Sequence, residues 1–217
     1  VLRFEGICKS YGGRTVLDAI GHRFAPGAHA LAGPNGIGKS TLLRVLAGVV
    51  EPDGGAVWVD GLALRDTPET AKARLSYVPD ECPVYPFITG RELLAFVAYA
   101  KRCPLTPQVL GIAAGFGLAR HLDTRCGGMS LGTQKKLMLA AAWIGEPAVL
   151  LLDEPSNGLD VDSRALLVDL LRRKSRDAVV LMSTHDRAFA EAAGAVTLAF
   201  DGATLTQLSA ACPSAVS

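Results

Sequence analysis

The chain lacks an excess of charge of either sign. Lys plus Arg number 22 and Asp plus Glu 21 among 217 residues, a formal net charge of +1. That balance provides no electrostatic footprint for nucleic acid, and no basic run marks a membrane surface, so no nucleic-acid partner is expected. Cysteine is also sparse in pattern. Cys8, Cys82, Cys103, Cys126 and Cys212 are odd in number and none stands in a C-x-x-C pair. Structural zinc and a disulfide framework are therefore not expected, and a reducing cytosol fits better. Each cysteine reads as a small packing residue. Long apolar runs are missing too. The greasiest stretch, 137–152, is broken by Glu146 and Pro147, short of the roughly 18 uninterrupted apolar residues that a spanning helix needs. Arg3 and Glu5 interrupt the first residues, which do not read as a signal peptide. Any membrane connection is expected to run through a partner.

What is present is a globular balance, 49% hydrophobic and 20% charged, enough for a sizeable core. Leu2, Phe4 and Gly6 alternate with polar residues, Val16–Ile20 makes a short run, and Val57–Val59 follows the turn Pro52-Asp53-Gly54-Gly55, all strand signals. His29–Ala32 is a short apolar run stopping at a glycine, and a helix is expected over about 39–47, closed by Gly48. From about 83 to 145 the spacing turns helical, with Leu93, Leu94, Phe96 and Val97 and then Val109, Leu110, Ile112 and Ala113 recurring at helical intervals. The continuous apolar runs Ala148–Leu152 and Ala178–Met182, separated by an amphipathic stretch over 163–173, suit central strands covered on both faces. The expectation is an α/β fold with a mostly parallel sheet, an N-terminal antiparallel β portion and a helical insertion. The tail after Thr204 is Ala/Ser-rich and reads as frayed.

Gly33-Pro34-Asn35-Gly36-Ile37-Gly38-Lys39-Ser40 matches G-x-x-x-x-G-K-[ST] between an apolar strand and a helix. Its glycines let successive N–H groups point at one phosphate, and the helix N-terminus adds a positive dipole end. Lys39 brings a point charge to the β- and γ-phosphates and Ser40 a hydroxyl for Mg²⁺, with Thr41 following. The motif alone indicates a P-loop nucleotide binder. Val149-Leu150-Leu151-Leu152-Asp153-Glu154 is an apolar strand ending in two acids, and in open α/β sheets ligands lie beyond the carboxyl ends of strands. Asp153 is placed to hold Mg²⁺ and Glu154 to take a proton from an attacking water. No N-K-x-D guanine reader is found.

With these residues in hand, the sequence resembles the ABC ATPase family over nearly its whole length. Gly33–Ser40 resembles the family's Walker A and Val149–Asp153 its Walker B. Met129-Ser130-Leu131-Gly132-Thr133 resembles the signature L-S-G-G-Q. Ser156-Asn157-Gly158-Leu159-Asp160 resembles the D-loop, His185 in Ser183-Thr184-His185-Asp186 the switch histidine, and Tyr11 the A-loop aromatic. The resemblance implies one domain over 1–217, with a RecA-like core and β portion over 1–82 and 146–217 and a helical signature portion over 83–145. It also implies two subunits, identical or related, enclosing two ATP molecules head to tail. Tyr11 would then stack on adenine, and Ser130 and the amides near Gly132, preceding a helix over about 134–143, would reach the other subunit's γ-phosphate. From the residues alone Ser130 reads equally as a plain N-cap. His185 would contact the γ-phosphate and orient Glu154, and Asp160 would organise the interface.

The signature departs from the pattern at Met129, Leu131 and Thr133, and Asp80 stands where the family's Q-loop glutamine is expected. An acid there can reach Mg²⁺ or water. With Pro83-Val84-Tyr85-Pro86 following, the segment resembles the subgroup pairing with ABC-2 type export permeases. The implied function is a Mg-dependent ATPase subunit energising transport through a separate integral-membrane permease, held peripherally at the inner face of the cell membrane. The alternatives are a soluble ABC ATPase acting on ribosomes or chromosomes, and a module that senses nucleotide with little turnover.

Overall fold

The computed structural model describes residues 2–82 and 84–208. Pro83, Cys212 and the tail beyond Leu208 lie outside the described residues. Strands β1 (Leu2–Tyr11) and β2 (Arg14–Phe24) form a long hairpin. With β4 (Gly54–Val59) and β5 (Leu62–Ala63) they make an antiparallel sheet in the order β2-β1-β4-β5. The expected alternation in β1 slips. Leu2 and Phe4 face inward, but the next buried residue is Ile7 and not Gly6. Gly6 has φ 59 and the β1–β2 register shifts between Phe4 and Ile7, a bulge that moves the inward face by one residue.

A second sheet holds β3 (Gly27–Ala32), β6 (Leu75–Val78), β7 (Val149–Asp153), β8 (Val179–Ser183), β9 (Val196–Phe200) and β10 (Leu205–Gln207), in the order β10-β9-β3-β8-β7-β6. All neighbours are parallel except β10, which runs antiparallel to β9. The tail expected to fray after Thr204 therefore contributes an edge strand as far as Gln207.

β7 and β8 are buried at every position, as their unbroken apolar runs require. Their alternate side chains feed two cores. Val149, Leu151, Val179 and Leu181 pack with Leu42, Leu43 and Leu46 of α1 (Lys39–Leu46) and with the antiparallel sheet. Leu150, Leu152, Val180 and Met182 pack with the helices of the 90–141 stretch and with Leu167, Leu171 and Phe189 further on. A sheet covered on both faces by apolar side chains is the stable arrangement for parallel strands.

The helical stretch comprises α3 (Gly90–Ala100), α4 (Pro107–Gly115) and α5 (Leu131–Ala141), after the short α2 (Pro68–Ala73). Thr89 and Glu92 form a reciprocal capping box at α3, and Thr106 caps α4 ahead of its first-turn proline. α6 (Val161–Lys174) and α7 (Arg187–Ala192) are N-capped by Asp160 and Asp186. Among the described residues no helix is long and apolar enough to cross a membrane.

Candidate nucleotide site

The register of the parallel sheet assembles the site. Leu31 of β3 stands beside Ser183 of β8, and Ser183 beside Asp153 of β7. Three strands thus end at one edge, where the chain turns into the glycine loop, the acidic pair and the histidine loop. Two glycines of the loop cannot carry a side chain. A Cβ at Gly33 would lie 2.6 Å from the carbonyl oxygen of Phe200. At Gly38, φ is +114° and a Cβ would meet Val16 Cγ1 at 2.8 Å. The loop is therefore held against β9 and β2 and opens into α1, whose first N–H groups have no partner within the helix.

The cleft at this edge, about 920 Å³, is lined by Asn35, Gly36, Gly38, Lys39, Ser40 and Thr41 from the loop and α1. Asp80, Asp153, Glu154 and His185 line it as well. Lys39 Nζ donates to the carbonyls of Gly33 at 2.7 Å and Pro34 at 3.0 Å. Burial pushes its pKa down, while Glu154 and Asp153 pull it back up. An ammonium held by neutral carbonyls inside the cleft has no direct carboxylate bond to surrender when an anion arrives.

Asp153 is 2% exposed. Its Oδ1 accepts from Ser40 Oγ at 3.1 Å and from Ser183 Oγ. A hydroxyl and a carboxylate of this kind, beside a phosphate cradle, suit Mg²⁺, which takes few protein oxygens and leaves its other positions to phosphate and water. Among the described residues there is no cluster of three or more His, Cys, Asp or Glu that could hold a metal ion. Glu154 has φ 44, an uncommon conformation for a residue with a side chain. Its N–H donates to the Ser183 carbonyl at 3.1 Å. His185 Nε2 lies 3.4 Å from Glu154 Oε1, and the His185 N–H donates to Oε2 at 3.3 Å.

Asp80, after β6, accepts from Asn157 Nδ2 at 3.2 Å. Asp160 pairs with Lys136 of α5 and accepts from the Ser163 N–H at 2.9 Å. The Lys136 hydrogen bond, followed by those from Ser163, holds its carboxyl well below the usual carboxylate range.

Seven of the expected residues do not line this cleft: Gly33, Pro34 and Ile37, which belong to the loop that borders it, and Tyr11, Ser130, Gly132 and Asp160, which stand elsewhere. Tyr11 is half exposed at the tip of the β1–β2 hairpin, with Lys9 Nζ 5.6 Å from its ring centroid. Ser130 is the N-cap of α5, its hydroxyl accepting from the Thr133 N–H at 3.2 Å. Gly132 lies in the first turn of α5 and not ahead of it, because the helix starts at Leu131 and not near Gln134. Asp160 caps α6.

The sequence reading missed Ser183, whose hydroxyl reaches Asp153, and Arg164, which lines the cleft and pairs with Asp186 at 2.6 Å. It also missed Lys135, buried beside Asp153. For Lys135 a signal existed: it stands four residues before buried Leu139, on the inward face of α5.

A family model described as ABC transporter matches residues 20–157. The chain belongs to the ABC transporter ATP-binding family. A second model, described as an AAA domain, matches residues 124–191. The chain is 37% identical over 192 residues to a protein of Paraburkholderia xenovorans (strain LB400) named Nod factor export ATP-binding protein I, covering 85% of this chain and 62% of that protein. It is 35% identical over 191 residues to a Burkholderia pseudomallei (strain 1710b) protein of the same name, covering 84% and 62%. The chain thus spans about three-fifths of the length of these relatives. A structure described as the ATP binding subunit of an ABC transporter superposes with TM-score 0.86 at 28% identity, covering 96% of this chain and 90% of that one. A dimeric bacterial ABC transporter cassette, at 21% identity and TM-score 0.82 over 97% and 100% of the two chains, shares the fold.

Proposed function

We propose that this ABC cassette binds and hydrolyses ATP as one of a pair of subunits, driving export through a separate membrane permease. The observation that carries the reading is the convergence of the Gly33–Ser40 loop, Asp153, Glu154 and His185 on one cleft, while Ser130 and the first turn of α5 stand outside it.

The chemistry follows from the side chains. Amides of the loop and of the α1 N-terminus hold the β- and γ-phosphates. Lys39 exchanges the Gly33 and Pro34 carbonyls for phosphate oxygens. Ser40 and Asp153 would hold Mg²⁺, which when bound would neutralise phosphate charge. Asp80 and Asn157 position water near the same phosphates. Glu154 accepts a proton as water attacks the γ-phosphorus, and the bond to the β–γ bridging oxygen breaks to release ADP. His185 orients the Glu154 carboxylate and contacts the γ-phosphate. Tyr11 stacks on adenine from the hairpin tip. A second subunit supplies Ser130 and the Gly132 N–H to the γ-phosphate, and Asp160, anchored to Lys136, shapes the contact between subunits. ATP favours the closed pair because it contacts both chains there, and hydrolysis removes that preference.

The direction of transport is carried over from the export named in the relatives, and the Asp80 segment supports the ABC-2 type subgroup. The location follows from the permease: the inner face of the cell membrane. The test is ATP hydrolysis by the purified chain. Turnover should require Mg²⁺ and fall about 10²–10⁴-fold in Glu154→Gln, the range for loss of a general base. Unchanged turnover in that variant would remove Glu154 from the mechanism.

A further inference from the structure

Lys135 is 4% exposed, a rare condition for a lysine. Its Nζ makes three hydrogen bonds, all to main-chain carbonyls: Pro79 at 2.9 Å, Asp80 at 3.0 Å and Asp153 at 3.2 Å. An ammonium has three N–H donors, so its capacity is filled. The Asp80 carboxylate lies 3.8 Å away. Burial pushes the Lys135 pKa down, against the opposing pull of Cys82, Asp80, Asp153 and Glu154.

The Asp153 carbonyl is the informative partner. The C=O and N–H of a trans peptide point in opposite directions. In the peptide joining Asp153 to Glu154, the C=O accepts from Lys135, and the N–H donates to the Ser183 carbonyl at 3.1 Å. The plane is therefore pinned at both ends, just where Glu154 takes its uncommon positive φ. Rotation of that plane would move both carboxylates. The same ammonium grips the turn that carries Asp80, and its stem rises from α5, the helix that Ser130 caps. One buried side chain thus joins the signature helix, the Asp80 turn and the acidic end of β7.

We propose that Lys135 is a positioning residue: by holding the Asp153–Glu154 peptide and the Asp80 turn, it makes the metal and water geometry of this cleft depend on the placement of the signature helix. The proposal rests on the nucleotide reading of the cleft. Lys135→Met keeps most of the stem and removes the donors. Lys135→Arg keeps charge and donors. Lys135→Gln keeps two N–H donors and serves if the methionine variant does not fold.

The test measures binding of a nonhydrolysable fluorescent ATP analogue with Mn²⁺ and in EDTA. The factor by which Mn²⁺ tightens binding should fall about tenfold or more in Lys135→Met, the usual cost of losing a residue that supports a metal ligand. Affinity in EDTA should stay within about threefold, since the phosphate cradle is untouched. Lys135→Arg should retain most of the Mn²⁺ effect, and Lys135→Gln should fall between. An unchanged Mn²⁺ factor in Lys135→Met, or an equal loss in EDTA, overturns the inference and leaves the nucleotide reading standing. A wild-type chain that binds the analogue in neither condition overturns both.

Discussion

The end of β7 and the start of α5, both proposed to meet phosphate, sit in opposite environments. Asp153 is almost fully enclosed and accepts two hydroxyls, and the following peptide is pinned on both sides. At α5, Leu131 is 83% exposed, and the Ser130 hydroxyl partners Thr133 of its own first turn. A preorganised acidic group pays no reorganisation when the reaction begins. An open helix N-terminus with unspent amides is instead ready for an anion carried by something else. On the proposed function, the contrast divides the chemistry into a half that this chain completes and a half that it offers outward.

That division is most sharply broken by Ser130→Arg. A bulky cation at the helix N-cap should cut turnover about 10²–10³-fold, comparable to losing a donor to transition-state charge. Affinity of the isolated chain for ATP should be unchanged by equilibrium titration. Equal loss of turnover and affinity would place Ser130 in the service of its own fold. Lys39→Ala probes the enclosed half. It removes a charged donor from the cradle, and ATP affinity should drop about 10–150-fold, corresponding to roughly 1.5–3 kcal/mol. Normal affinity in the same titration would contradict the cradle assignment.

The sequence made the enclosed half readable and the offered half less so. β7 and β8 were legible because strands buried on both faces need continuous apolar runs, and the acids follow the last buried residue directly. The β1 bulge was hidden because Gly6 fits the alternation by position, and only the packing of Ile7 shows that the face has changed. β6 is four residues long and mixes Ser76 and Tyr77 with apolar neighbours. Its strand state comes from pairing with β7, which no local pattern announces. The start of α5 was displaced because Gly132 and Thr133 are weak helix formers, whereas the Ser130 cap and the packing of Lys135, Leu137 and Leu139 fix the first turn earlier. Lys135 itself was passed over because a lysine after the signature reads as solvated surface. Its three carbonyl partners come from segments distant in the chain. The hydroxyl of Ser183 was likewise invisible until the register of β7 and β8 brought it beside Asp153.

The division between the two halves has one direct measurement. Glu154→Gln, incubated with ATP and Mg²⁺, is followed by light scattering, alone and combined with Ser130→Arg. The slow-turnover variant should double its mass when nucleotide is added, and the added arginine should keep it monomeric while ATP still binds. A Glu154→Gln chain that stays monomeric with ATP bound would contradict a phosphate site shared between two subunits.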